Sequence, residues 1–113
     1  MALRKTKTRG AKPVVVWTDF ALRDLERIDD HIAQDGPITA QRWVQKLIST
    51  AETVAGAPMT GRILPERRRD DIREVLLRHY RIAYLVRDSH IEILTVFEGH
   101  KLFPENSVPS NDE

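Results

Sequence analysis

The side chains able to move protons or grip an anion lie mostly in the second half of the sequence. Glu66, Glu98 and His100 are the candidate acids and bases. Arg62, Arg73, Arg81 and Lys101 are the cations spaced among them, in the runs Gly61-Arg62, Pro65-Glu66, Arg73-Glu74, Tyr80-Arg81 and Glu98-Gly99-His100-Lys101. Attack of a ribose 2′-hydroxyl on its phosphodiester needs a base, an acid and a fixed cation for the charge that develops on phosphate. These residue types meet that need if the fold brings them together. The same carboxylates serve equally well as ion-pair partners of the arginines. The arginine forks would then form a docking face for an acidic peptide or for RNA, with no bond broken. Neighbours in a strand point to opposite faces, so Arg73 and Glu74 cannot line one surface, and Arg81 lies opposite Tyr80 and Tyr84. With the tyrosines packed inward, Arg81 is expected on the open face of the sheet.

Other chemistries are poorly supported. The glycines at 10, 36, 56, 61 and 99 make neither a phosphate loop nor a dinucleotide fingerprint, and no serine sits in a nucleophile elbow. His31, His79, His90 and His100 lack the spacing of helical metal ligands, and cysteine is absent, which excludes disulfides and thiolate sites. No cofactor and no metal are therefore expected. The apolar runs are only a few residues long, as in Val14 to Trp17, where about 20 would be needed to cross a bilayer. No apolar stretch follows the basic N-terminus as it would in a secretory signal. A cytoplasmic protein without membrane contact is expected.

The elements that must position these residues follow from periodicity. Val14 to Trp17, after Pro13, reads as a strand. Thr18 or Asp19 can cap a helix whose apolar face is Ala21, Leu25, Ile28 and Ile32, with the acids largely on the outside. Gly36 is read as its end and Pro37 as the start of a second helix. In that helix Ala40, Trp43, Val44, Leu47, Ile48, Ala51, Val54 and Ala55 keep a three-four rhythm until Gly56 and Pro58. So short a linker packs the pair as an antiparallel hairpin. Beyond residue 60 the period becomes two. Strands around Val75–Leu77, Tyr80–Val86 and Ile91–Phe97, with turns near His79 and Asp88-Ser89, make an antiparallel three-stranded meander. The last strand is apolar on both faces and is expected to be central. The expected fold class is α+β: an N-terminal strand, an antiparallel helical hairpin, then the meander, with helices on one sheet face.

In 113 residues there is material for one core. The net charge of +1 conceals strong segregation. Residues 1–12 carry Arg4, Lys5, Lys7, Arg9 and Lys12 and no acid, and are read as a disordered basic arm. Residues 13–104 form the domain. Residues 105–113 are read as a disordered acidic tail. Residues 62–81 hold seven arginines and no lysine, against four acids.

Several of these runs, in this order, closely resemble the RelE/ParE superfamily of toxins from type II toxin–antitoxin systems, from about Val14 to Pro104. They are Ala21, Asp24-Leu25, Ile28 and Ile32; Gly61-Arg62 with Pro65-Glu66; Ile72-Arg73-Glu74; Tyr80-Arg81-Ile82 with Tyr84; and Ile93-Leu94 with Val96. The resemblance implies a helical hairpin against an antiparallel sheet. RelE-like members are ribosome-dependent mRNA endoribonucleases. By motif position Arg81 matches their sheet arginine, Lys101 the cation after the last glycine, and Arg73 falls near their basic strand. Their terminal tyrosine has no counterpart, since residues 102–113 contain Phe103 but neither Tyr nor His. ParE-like members poison DNA gyrase by binding, and the Gly-Arg, Pro-Glu and Ile-Arg-Glu runs are more similar to that branch. The resemblance thus implies a ParE-like gyrase inhibitor of the plasmid-stabilisation type. The alternatives are a RelE-like endoribonuclease, with Arg81, Arg73, Glu66, His100 and Lys101 as its site, or a degenerate, non-toxic antitoxin-binding domain. It also implies a cognate ParD-like antitoxin encoded nearby, which contacts operator DNA and wraps the toxin with its C-terminal segment. An acidic segment would suit a basic groove lined by Arg62, Arg73 and Arg81, with Glu66 and Lys101 completing the binding set. The basic arm would add phosphate contacts.

Overall fold

The structure is a computed structural model that describes residues 14–110 in full and residues 4–6 by their backbone. The β-branched run becomes strand β2 (Val14–Trp17), with Val15, Val16 and Trp17 all buried. Thr18 turns the chain into helix α1 (Asp19–Ala33): its Oγ1 accepts from the Ala21 N–H at 3.2 Å and donates to the Ile93 carbonyl at 2.8 Å. One hydroxyl therefore caps the helix and fastens it to the last strand. Ala21 and Leu25 are buried as the rhythm predicts, and Asp24 is buried beside them. The helix stops at Ala33, earlier than expected. Gly36, at φ 147°, instead precedes helix α2 (Pro37–Ala55), occupying backbone space that side chains disfavour. Ala40, Leu47, Ala51, Val54 and Ala55 are its buried stripe.

A short 3₁₀ turn (Pro58–Thr60) leads to β3 (Arg62–Ile63), β4 (Ile72–Leu77), β5 (Tyr80–Val86) and β6 (His90–Glu98). The meander β4–β5–β6 is antiparallel, as expected. It is extended on both sides, to the order β1-β2-β6-β5-β4-β3, where β1 is Arg4–Thr6. β2 joins β6 in parallel, Val14 opposite His90 and Trp17 opposite Ile93, which places β6 in the middle of the sheet. The backbone of Arg4–Thr6 pairs antiparallel with β2, where disorder was expected. The rest of the 1–12 arm lies outside the described residues.

Apolar side chains pack on both faces of the sheet. Between helices and sheet lie Trp17, Leu25, Leu47, Tyr80, Ile82, Tyr84, Ile91 and Ile93. The opposite face, expected to be open, is covered by a second cluster of Leu64, Ile72, Ala83, Leu85, Leu94, Phe97, Phe103 and Val108. Part of its cover, Val108, comes from the segment read as a disordered tail. Glu105–Ser107 forms a 3₁₀ turn, Ser107 Oγ donates to the Pro104 carbonyl at 2.7 Å, and Val108 is buried. Phe103 and Val108 supply the driving force, about 1.5–3 kcal/mol for each fully buried side chain. The domain thus extends past residue 104 to Val108, and residues 111–113 lie outside the described residues.

The β5–β6 register steps from Ala83 opposite Thr95 to Tyr84 opposite Ile93, leaving Leu94 as an extra residue. Such a bulge frees backbone groups from the ladder. Here Asp24 Oδ2 accepts from one backbone group, the Val96 N–H at 3.0 Å, and from the Thr95 side-chain hydroxyl at 2.5 Å.

Candidate functional site

Strand register assembles the arginine cluster. Arg62 pairs across from Glu74, and Leu76 from Arg81, so Arg62, Glu74 and Arg81 share the face away from the helices. Glu74, only 1% exposed, is shared between the two arginines: Oε1 accepts from Arg81 Nε at 2.6 Å and Oε2 accepts from Arg62 Nε. The other side of the Arg81 fork is taken bidentately by Glu66, at 2.8 and 3.0 Å. Arg81 also lies over the Phe97 ring, 4.7 Å from its centroid. Hydrogen bonding from Arg81 lowers the pKa of Glu66, and the two carboxylates raise that of Arg81. A lowered pKa is the wrong direction for a general base that must take up a proton near neutral pH.

The expected groove of Arg62, Arg73 and Arg81 is not formed. Arg73 stands opposite Tyr84 in the register, which puts it on the helix face of the sheet, away from Arg81. Its guanidinium donates to the carbonyls of Met59 (3.1 Å), Gly61 (2.9 Å) and Asp70 (2.9 Å) and to Asp70 Oδ1 (2.8 Å). Arg73 thus clasps the chain entering and leaving β3. The alternation of residues 73 and 74 forces this separation, because Glu74 must face Arg62 and Arg81. His100 and Lys101 lie elsewhere again, exposed at the exit of β6, with Lys101 Nζ 3.3 Å from Glu98 Oε1.

The sequence reading overlooked a cleft of ≈ 410 Å³ between α1 and the end of β6. Phe20, Asp24, Arg27, Ile28 and His31 line it from the helix; Tyr80, Thr95, Val96 and Phe97 line it from the strands; Glu98, Lys101, Leu102 and Pro104 close its rim. Residues 20, 24, 27, 28 and 31 recur at helical spacing, a stripe present in the sequence but hidden when the acids of α1 are placed largely on the outside. Leu102 is 93% exposed at the edge of this space. Asp24 forms part of the floor, its Oδ1 paired with Arg27, and burial is the main cause raising its pKa. Burial likewise raises that of Tyr80. Apolar walls with charges at the rim suit an amphipathic protein segment. Among the described residues no group of three or more His, Asp or Glu could hold a metal ion, and no helix is long and apolar enough to cross a membrane.

Comparison with known proteins agrees with this architecture. Residues 15–103 match the family model described as ParE toxin of type II toxin-antitoxin system, parDE. Toxin RelE2 of Caulobacter vibrioides is 35% identical over 88 residues, covering 78% of this chain and 97% of the relative. A solved chain from the chromosomal ParDE TA system of P. aeruginosa superposes with a TM-score of 0.63 at 25% identity, covering 73% of this chain and 90% of the other. The chain belongs to the ParE toxin family of type II toxin–antitoxin systems, within the RelE/ParE superfamily.

Proposed function

We propose that this protein is a ParE-like toxin that inhibits DNA gyrase by docking and is neutralised in the cytoplasm by a cognate ParD-like antitoxin. One observation carries the non-enzymatic reading: the Arg81 fork is occupied by Glu66 and Glu74 on a sheet face filled by Phe97, Phe103 and Val108. A phosphodiester approaching Arg81 would have to displace both carboxylates and the apolar cover, and would find Glu66 held as an ion-pair partner. Docking needs none of this. The antitoxin lays an amphipathic segment into the cleft, with apolar side chains between Ile28, Val96 and Leu102 and acidic ones toward Arg27 and Lys101. Of the residues expected to bind, Arg62 and Lys101 keep exposed side chains for a partner.

Two assays run side by side test the reading. Purified toxin is expected to inhibit gyrase supercoiling and to leave cell-free translation intact, and the antitoxin to reverse the inhibition. Codon-biased cuts in ribosome-bound mRNA, with supercoiling unaffected, would overturn it.

A further inference from the structure

Asp24 lies in the floor of the cleft, 5% exposed, and its two oxygens are held in different ways. Oδ2 accepts from the Thr95 hydroxyl and the Val96 N–H, both fixed in the central strand of the sheet. Oδ1 is held by Arg27, three residues on along α1, whose side chain is 66% exposed and therefore free to turn to another anion. The other titratable or charged groups of the cleft are His31, exposed on α1, Tyr80 on β5, and Glu98 at the end of β6 with Lys101 Nζ 3.3 Å from its Oε1. Arg23, the remaining cation that acts on Asp24, is exposed on the same helix.

An acidic side chain docked beside Arg27 changes the surroundings of Asp24 in three ways. It excludes water from the cleft floor, brings a second negative charge close, and competes for the guanidinium. Each of the three disfavours the carboxylate form of Asp24. Burial already acts in that direction in the free protein. The neutral acid fits the site: with a proton on Oδ1, Oδ2 keeps both of its β6 donors, and the new O–H stands where Arg27 stood. We propose, on the reading that the antitoxin segment occupies this cleft, that docking is proton-linked: Arg27 passes from Asp24 to an antitoxin carboxylate, and Asp24 takes up one proton from solvent at Oδ1. One ion pair replaces another, and the carboxylate left behind is neutralised. The complex then holds that proton more tightly than the free toxin, so affinity rises as pH falls and declines as pH rises.

Calorimetric titration of the full chain with the purified antitoxin from the neighbouring reading frame counts the protons taken up, when each pH from about 5 to about 8 is repeated in two buffers of different ionisation enthalpy. Uptake is expected in the wild type and is expected to vanish from Asp24→Asn. Over the same range the wild-type Kd should rise relative to that of the variant, by up to about tenfold per pH unit for a single proton. His31→Gln is expected to keep the uptake, which removes the histidine as its source. Circular dichroism checks that both variants are folded, and the wild-type count needs no variant. Zero uptake in the wild type at every pH would overturn the proposal. So would uptake that survives Asp24→Asn or disappears with His31→Gln. Leu102→Glu, titrated alongside, keeps the two readings apart. Undiminished affinity there would place the antitoxin outside the cleft and sink the docking reading, and this proposal with it. Weakened affinity there, without uptake that depends on Asp24, would sink the proton linkage alone.

Discussion

Arg81→Ala is the substitution that most directly separates chemistry from architecture. Arg81 is 8% exposed and satisfies both Glu66 and the fully enclosed Glu74. Its removal leaves Glu74 with Arg62 alone, a partner on the exposed side, and leaves a void against Phe97. Removing one member of a buried ion pair typically costs about 3–5 kcal/mol, and lost packing along the arginine stem adds to it. Against a total stability of about 5–15 kcal/mol this is a large fraction, and it lowers Tm by roughly 12 °C or more at about 4–8 °C per kcal/mol for a domain of this size. Urea unfolding followed by tryptophan emission measures the change directly. The companion Arg81→Met with Glu74→Leu is expected to regain most of the loss, because an apolar replacement of a buried pair is often neutral. A loss under about 1 kcal/mol for Arg81→Ala would refute the view of Arg81 as a structural keystone and return it to the list of groups free to act on a ligand. Loss of toxicity in this variant is accordingly expected to accompany loss of folded protein.

Three further outcomes follow from particular contacts. A Cβ at Gly61 would lie 2.0 Å from Tyr84 Oη and 2.8 Å from the Glu74 carbonyl, so Gly61→Ala should destabilise by about 1–3 kcal/mol, read by thermal unfolding. Combining it with Tyr84→Phe should be less than additive, because the phenylalanine removes the nearest clashing atom. Burial raises the pKa of Asp24 above its ordinary 3.8, so the folded state holds that proton more tightly than the unfolded one. The resulting stabilisation is complete below that ordinary value and is lost as pH rises through the folded value. The stability of the wild type relative to Asp24→Asn should therefore fall as pH rises above the ordinary value of 3.8, and parallel curves would contradict it. Leu102→Glu, at an exposed rim position, should change stability by less than about 0.5 kcal/mol yet weaken binding of the cognate antitoxin at least tenfold by calorimetry; undiminished affinity would move the antitoxin away from the cleft.

What the sequence reveals and what it hides divide along the range of the interactions. The hairpin helices and the meander announce themselves through local rhythm, the three-four spacing from Ala40 to Ala55 and the alternation through Tyr80, Ile82 and Tyr84. The pairing of β2 with β6 has no local signature, although an apolar β6 already pointed to a central place. The cover over Arg81 depends on Phe103 and Val108, two apolar residues in a stretch otherwise rich in turn formers, and two residues make no period. Arg62, Glu66 and Arg81 were identifiable as charges, but their mutual neutralisation is a matter of register. Arg73 was separable in advance, since strand alternation places it opposite Glu74. Asp24 was misjudged because it stands at the margin of the apolar face of α1, and only the bulge in β6 gives a carboxylate there something to hold.

The central strand of the sheet is also the last to leave the ribosome. β2 waits beside an empty position through the making of both helices and the β4–β5 hairpin, and only His90 to Glu98 fills it. Thr18 and Asp24 likewise gain their β6 partners only at that point. An interrupted translation product ending before β6 therefore lacks Ile91, Ile93 and Val96 from the floor under the helices and is expected to be a target for proteases. Such copies also lack residues 95–98 from the wall of the cleft and are expected not to dock as the full chain does.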